Sequence, residues 1–277
     1  MKKLLALALC TTVSISLFAA DIFNYVPITG SVKSYTETEF SIASRFGSLY
    51  RTPSSKLSHT FDSNGKEISS SELSPKDAVI NTISSKYDTA GNLVEKVCTS
   101  ADGEVIWKNT FTYKNGLKVD TSEFDRKGNL RARTIYTYEN NLLSDESSYN
   151  GDGALIWKTI SKYDEANRLA TVSEYNPDGS LSEQLSYNYT ESGAIDSLIK
   201  LDAYTGLQTQ LVFRYGANGV LNEITTYDAA KQVIKRTLLK YDDNGNVNKV
   251  SEYDVAEKFG TTVNELVDMS EYNYEYN

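Results

Sequence analysis

Apolar and polar residues alternate along most of this chain, in short stretches separated by turn-forming residues. The pattern is clear in LRARTIYTY (130–138), ALIWKTISKY (154–163) and VIKRTLLKY (233–241), which are rich in Thr, Tyr, Ile, Val and Leu. Successive side chains of a β-strand point to opposite faces, so a period of two indicates strands with one more apolar face. The chain contains only four prolines, and no helical periodicity follows the first twenty residues, so we predict an all-β protein.

A longer period is superimposed on this alternation. One tyrosine series, preceded by Phe61, recurs every 25 or 26 residues: Tyr87, Tyr113, Tyr138, Tyr163, Tyr189, Tyr215 and Tyr241. A second series lies in the gaps of the first: Phe124, Tyr149, Tyr175, Leu201, Tyr227 and Tyr253. A fixed period of this length is typical of a repeat architecture, in which one supersecondary unit is copied many times. Each period therefore contains two strands and two turns.

The turns share one local sequence pattern. In KYDTAGNL (86–93) and KYDDNGNV (240–247) an aromatic and an acidic residue are followed by two variable residues, Gly, a polar residue and an aliphatic one. KYDEANRL (162–169) has Asn167 in the Gly position. Gly and Asn tolerate the positive φ of tight hairpin turns, and Asp at the turn entrance accepts hydrogen bonds from its own backbone.

These patterns predict a repetitive antiparallel β-meander of about 14–16 strands, forming one elongated or curled sheet. We divide the chain into a signal peptide (1–20), an N-terminal segment with the first strand or strands (21–56), and a repeat domain (57–277). Three stretches break the rhythm and are expected to be loops or insertions, at 41–56, 69–78 and 254–265. In an open strip, terminal positions such as Tyr272 should contribute less to stability than central ones such as Tyr163.

The unit resembles the tyrosine–aspartate (YD) repeats of the Rhs family, which read approximately aromatic-x-Tyr-Asp-x-x-Gly-Arg-Leu. KYDEANRLATV (162–172) and KYDDNGNVNKV (240–250) match it most closely, and the likeness extends over about 57–254. The resemblance implies a β-strip that can spiral into a shell and serves as a scaffold or binding surface, without a catalytic residue. Large members enclose a C-terminal toxin; here we expect no toxin domain. The units are also similar to variant MORN repeats (Tyr-x-x-Gly-x-Leu).

The first residues, MKKLLALALCTTVSISLFAAD, combine a basic start, an apolar run and small residues at Ala19 and Ala20, which is typical of a secretory signal peptide. A lipoprotein site at Cys10 is a weaker alternative, because the apolar stretch before it is short. No later segment is apolar enough for a transmembrane helix. Without residues 1–20 the chain has 26 basic and 37 acidic residues, a charge of −11, which disfavours nucleic acid as a partner.

Few residues suggest catalysis or metal binding. His59 is the only histidine and Cys98 lies in a strand-like stretch, so neither has the partners that a catalytic dyad or a zinc site requires. The recurring aspartates are explained by turn capping, and the calcium-like starts at Asp62 and Asp242 lack the acidic residue that completes such a loop. We predict no catalytic residue, no metal site and no cofactor.

A possible ligand-binding patch consists of Trp107, Ala132, Tyr136 and Trp157. Both tryptophans lie six residues before a repeat tyrosine, two periods apart, so they should share a face about 19 Å apart across four strand spacings. Two indoles on either side of a small residue would suit a glycan or a peptide. The alternative is that both indoles are buried core residues.

Three functions compete. The first is an exported, non-catalytic binding or scaffold protein in the periplasm or at the cell surface. The second is an outer-membrane β-barrel, suggested by the signal peptide and the tyrosine content, although Glu95, Glu183, Glu223, Lys235 and Lys249 interrupt the tyrosine face. The third is a carbohydrate-active enzyme, which the lack of a distinct carboxylate pair disfavours.

Overall fold

The chain forms a single antiparallel sheet of 18 strands in a computed structural model that describes residues 22–45, 48–258 and 260–277. The signal peptide predicted at 1–20, with Cys10, lies outside the described residues. The strands are β1 (Val32–Arg45), β2 (Ser48–Phe61), β3 (Glu67–Leu73), β4 (Val79–Tyr87), β5 (Leu93–Ser100), β6 (Val105–Lys114), β7 (Leu117–Asp125), β8 (Leu130–Glu139), β9 (Leu142–Asn150), β10 (Leu155–Tyr163), β11 (Leu169–Tyr175), β12 (Leu181–Tyr189), β13 (Ile195–Asp202), β14 (Gln208–Tyr215), β15 (Leu221–Tyr227), β16 (Val233–Tyr241), β17 (Val247–Lys258) and β18 (Thr261–Tyr276).

The sheet closes into a barrel. Each strand pairs with its sequence neighbour, and β1 also pairs with β18, from Val32 opposite Tyr276 to Ser41 opposite Asp268. The prediction of an open or curled strip of about 14–16 strands is therefore wrong. Closure pairs the two edges that an open sheet would leave exposed, and unpaired strand edges are costly in water and prone to aggregation.

Segments expected to be loops or insertions contribute the missing strands. Residues 41–45 and 48–56 belong to β1 and β2, residues 69–73 belong to β3, and residues 254–258 and 261–265 belong to β17 and β18. These stretches lack the turn sequence of the repeat, but they pair as ordinary antiparallel strands. β2 also crosses the boundary that we placed between residues 56 and 57.

The turns follow the sequence prediction. In the turn after β10, Asp164 Oδ1 accepts hydrogen bonds from the backbone N–H groups of Ala166 and Arg168, each at 2.9 Å. Asn167, in the Gly position, has a φ of +60°. The prediction that the turns of the YD-like units centre on Gly or Asn is confirmed for the units quoted above, because these residues tolerate the left-handed backbone that a tight turn requires. Two other turns differ, with Asp77 and Lys231 in this position at φ values of +65° and +61°.

A short N-terminal segment (22–31) packs against one face of the sheet. It begins with a 3₁₀ helix, Ile22–Asn24, and its apolar side chains cover a buried cluster on β12 to β18 and β1. The cluster consists of Tyr35, Leu185, Leu198, Leu211, Phe213, Leu221, Ile224, Leu239, Val247 and Tyr272. This is the main hydrophobic core of the described part of the chain.

Candidate functional site

The face that contacts the N-terminal segment is the inner wall of the barrel. The Phe23 ring lies 5.4 Å from the Tyr35 ring on β1, and the Tyr25 ring lies 5.1 Å from the Phe213 ring on β14. Those two strands are five spacings apart, about 24 Å along the sheet, whereas residues 23 and 25 are at most about 7 Å apart in the chain. The sheet must therefore curve around the segment, which places residues 22–28 inside the lumen.

The patch predicted from the sequence lies on this inner wall. Residues that pair directly in an antiparallel sheet point to the same face. Ala132 pairs with Glu123, and Glu123 pairs with Asn109, which lies two residues from Trp107 on β6. On the other side, Trp157 pairs with Ser148, and Ser148 pairs with Thr134 on β8, two residues from Ala132. We call the patch formed by Trp107, Ala132, Tyr136 and Trp157 the aromatic trough.

All four trough residues are half-buried. The trough extends over β6 to β10, so it is an elongated surface along the wall and not a compact pocket. Its indoles are separated by four strand spacings, about 19 Å. Because neither indole is fully buried, part of each ring faces the lumen.

Acidic side chains lie beside the trough, and sequence reasoning missed them. Glu146 on β9 pairs with Tyr136 and with Thr159, and Thr159 pairs with Glu174 on β11. Burial raises the pKa of Glu146, with a smaller effect of neighbouring Asp145. Burial also raises the pKa of Glu174, and the nearby carboxylate of Glu183 adds to the effect. Strand alternation could have placed Glu146 on this face, because it lies two residues before Ser148, which pairs with Trp157.

One lysine also belongs to this part of the lumen. The Lys118 ammonium lies 4.0 Å from the centre of the Tyr136 ring, and its charge partly offsets the raised pKa of Glu146. An ammonium over an aromatic face is attracted by the negative face of the ring. The wall of the trough thus already holds one cation between an aromatic ring and a carboxylate.

His59 takes part in a lumenal charge cluster instead of standing alone in its strand. Its Nδ1 lies 2.5 Å from Glu67 Oε1, and its ring stacks on Tyr35 at 4.4 Å. Lys96 Nζ lies 3.6 Å from the other oxygen of Glu67. Burial opposes ionisation of Glu67, but the hydrogen bond from His59 and the charges of Lys96 and His59 together lower its pKa. Cys98 is buried in β5, and burial raises the pKa of its thiol.

The outer wall is polar and ion-paired. Lys108 pairs with Glu95 at 2.5 Å, Arg236 pairs with Glu223 at 2.9 Å, and similar pairs join neighbouring strands elsewhere: Arg133 with Asp120, and Lys158 with Asp145. The expectation that Glu95, Glu223 and Lys249 lie on the tyrosine face is wrong. A β-bulge follows the preceding turn in each case, so Glu95 pairs with Lys86, Glu223 with Arg214 and Lys249 with Lys240, and all three point outward.

A depression of about 600 Å³ lies on this outer wall, between β8, β9 and β10. Its lining includes the exposed Ile135, the half-buried Ile160 and the ion pair of Lys158 and Asp145. The depression is on the opposite side of the sheet from the trough. It contains no arrangement of polar groups that converge on one point, so we assign no site to it.

The fold and the inner wall define a closed antiparallel β-barrel with an aromatic and acidic lumen. No protein-family model and no curated protein match the chain. Among the residues described, no helix is long and apolar enough to cross a membrane.

Solved structures with a similar fold do exist. A porin-like protein from Bacteroides uniformis has a TM-score of 0.51 at 10% identity, over 88% of this chain and 98% of that one. A porin-like protein from Bacteroides vulgatus scores 0.39 at 12% identity, over 90% and 99%. TcdB2-TccC3 scores 0.38 at 13% identity, and the match covers 82% of this chain but only 15% of that one. At these identities the first similarity shows the barrel fold alone.

Proposed function

We propose that this protein is an exported, non-catalytic β-barrel of the cell envelope that binds a ligand in its lumen, along the aromatic trough. The observation that carries the proposal is that Trp107 and Trp157 lie half-buried on the inner wall. Neither indole belongs to the buried cluster or to the half-buried side chains that pack against it. Export rests on the signal-like sequence at 1–20.

The ligand classes that suit such a surface are glycans and peptides. Aromatic rings bind apolar sugar faces or side chains, while nearby polar groups fix orientation. The resemblance to YD repeats, proposed from the sequence, agrees with a binding or scaffold role. No arrangement of His59, Cys98 and the lumenal carboxylates found among the described residues suggests a reaction.

The charged outer wall supports a barrel that stands in water. A barrel that spans a bilayer presents an outward apolar band about 25 Å tall. Here Asp120, Arg133, Asp145 and Lys158 occupy the outer face in the middle of their strands. The inner face carries charges at mid-strand as well, among them Glu146 and Lys200, so neither face offers such a band.

A porin-type barrel in the outer membrane is the second candidate. The closed ring of 18 strands and the fold similarity to a porin-like protein favour it, since barrels of 16–18 strands enclose an aqueous channel in porins. Fractionation of cells that express the full chain separates the two. We expect recovery in the soluble envelope fraction without detergent, whereas release only by detergent would establish the membrane barrel.

Binding can be tested by fluorescence, because the chain has only two tryptophans and both belong to the trough. Ligands found on glycan and peptide arrays should shift the emission. The variant Trp107→Ala with Trp157→Ala should lose binding at least about tenfold, since stacking on an aromatic ring contributes on the order of 1 kcal/mol or more per contact.

The matched control is Ile135→Ala with Ile160→Ala, which truncates two apolar side chains of the outer face, where they pair with Asp120 and Asp145. This control should bind normally. If the double tryptophan variant unfolds, the indoles are core residues and the trough is not a site. If it folds and binds as well as the native chain, the ligand binds elsewhere.

A further inference from the structure

The charges of the trough are one-sided. On β7 to β11 the inner wall carries Glu146 and Glu174 close to the aromatic rings, and the cation beside them, Lys118, already lies over Tyr136. On the outer face of the same strands Asp120 pairs with Arg133, and Asp145 pairs with Lys158, each across a strand pair. These two outer carboxylates are neutralised, whereas Glu146 and Glu174 have no such partner among the described residues.

Glu146 and Glu174 are the available carboxylates. Among the described residues, neither accepts a hydrogen bond or forms an ion pair. Both are half-buried, and a partly buried carboxylate without a partner is costly. Burial raises the pKa of each carboxyl, as expected when the charged form is costly. A bound cation would offset the cost of burying the charged form.

The position of the two glutamates relative to the rings is favourable for a ligand that touches both. Glu146 pairs directly with Tyr136, and Trp157 pairs with Ser148, two residues from Glu146 on the same strand. Diagonal neighbours of this kind are about 7–8 Å apart. Glu174 lies two strands from Glu146 in the same row, about 10 Å away, so the two carboxylates could contact successive amino groups of one extended ligand.

An ammonium group suits this arrangement of carboxylates and rings. An alkylammonium supplies three N–H donors and a positive charge, and it binds aromatic faces in the way that Lys118 binds Tyr136.

We propose that the ligand of the trough is a polycation with aliphatic ammonium groups, provided either by lysine side chains of a peptide or by a free polyamine. The inference rests on the proposed lumenal binding function. Glu146 and Glu174 receive the ammonium groups, while Trp157, on the strand between them, covers the methylene chain. Tyr136 and Trp107 extend the aromatic surface on the other side of Glu146.

The test is titration of the mature chain, followed by tryptophan fluorescence and calorimetry, with four probes: spermine, an octalysine peptide, an octaglutamate peptide and maltohexaose. We expect the two cations to bind, more weakly at high salt, and the other two probes not to bind. Tighter binding of octalysine than of spermine identifies a peptide as the source, and the reverse identifies a polyamine.

The decisive variant is Glu146→Gln with Glu174→Gln, which keeps side-chain size and removes two inner charges. It should weaken cation binding at least tenfold. Glu95→Gln with Asp145→Asn removes two outer carboxylates and should leave binding unchanged. Equal effects of the two variants would mean that net charge alone attracts the cation, which overturns the site.

The outcomes separate the two proposals. If maltohexaose binds the trough and neither cation does, the ligand class is wrong and lumenal binding stands. If octaglutamate binds and the cations do not, the charge argument is overturned. If none of the four probes and no array ligand changes the tryptophan emission, the proposed lumenal function fails together with the inference.

Discussion

The repeat tyrosine links neighbouring strands through its hydroxyl. Six tyrosines at the ends of even-numbered strands donate to a backbone carbonyl twenty residues earlier, at 2.5–2.9 Å: Tyr87, Tyr138, Tyr163, Tyr189, Tyr215 and Tyr241. The ring covers the strand pair, and the hydroxyl satisfies an acceptor at the rim. This explains why the period keeps tyrosine where phenylalanine would pack equally well.

Removing one hydroxyl of this ladder should have a small and measurable effect. Tyr189→Phe loses the 2.8 Å hydrogen bond to the Leu169 carbonyl, and we expect the free energy of unfolding to fall by about 1 kcal/mol in urea titrations. Tyr204→Phe is the control, because Tyr204 is 96% exposed and should be neutral. A neutral Tyr189→Phe would show that the ladder does not contribute to stability.

The half-buried carboxyl of Glu146 should make stability depend on pH. Its pKa is raised by burial in the folded state, so the folded chain holds this proton more tightly than the unfolded chain does. Stability must then fall as pH rises through the unfolded value of about 4.3 to the raised folded value. Glu146→Gln should be more stable than the native chain at pH 7 and equal to it below pH 4. A native advantage at pH 7 would contradict this account.

At the scale of single elements, strands and turns were predictable from local chemistry. Asp164 and Asn167 illustrate why: a capping carboxylate and a positive-φ residue fix a turn without help from distant residues. The bulges were not predictable. Glu95 would follow Leu93 onto the tyrosine face by simple alternation, but the register shift after Tyr87 turns it outward, and no residue type in the sequence marks that shift.

The N-terminal segment was also beyond sequence reasoning, because it has no period and its contacts are remote. Thr29 N–H donates to Asn246 Oδ1 at 2.7 Å, and Asn246 Nδ2 donates to the Thr29 carbonyl at 3.0 Å and to Tyr276 Oη at 2.9 Å. The fully buried Asn246 lies in the turn between β16 and β17, 217 residues from Thr29 in sequence. Its amide thus attaches the segment to the rim.

Asn246→Ala should therefore destabilise the barrel. It removes the hydrogen bonds that the fully buried Asn246 amide makes to the backbone of Thr29 and to Tyr276 Oη, at a cost of about 1–3 kcal/mol. The matched control is Asn92→Ala at the same position of another repeat, where the side chain bonds only to Asp88 in its own turn. Urea unfolding should show a clear loss for Asn246→Ala and a smaller one for Asn92→Ala. Equal losses would mean that the amide serves only its own turn.

At the scale of the whole molecule, closure is the feature that the repeat pattern conceals. The period describes how each strand pairs with the next, and it is the same in an open strip and in a ring. The seam joins β1 to β18 through residues such as Glu37 and Tyr272, whose side chains share a 2.8 Å hydrogen bond across 235 residues. Nothing periodic in the sequence records a contact over that distance.

A ring has no terminal repeat, which changes one expectation from the sequence. Tyr272 is 7% exposed and belongs to the main core. Tyr272→Ala should therefore cost at least as much as Tyr163→Ala, on the order of 3 kcal/mol each. Thermal or urea unfolding of the two variants gives the comparison. A much smaller loss for Tyr272→Ala would indicate an open strip with a weak end.

Hydrogen exchange at the seam tests the closed barrel most directly, because a lumen exists only if β1 pairs with β18. In the native chain, amides of the seam (Thr36, Thr38, Glu271 and Asn273) should exchange as slowly as those of β10 and β11, through global unfolding. Fast exchange at the seam, with protection retained in β10 and β11, would show that the sheet is open and that the inner wall with its trough does not form.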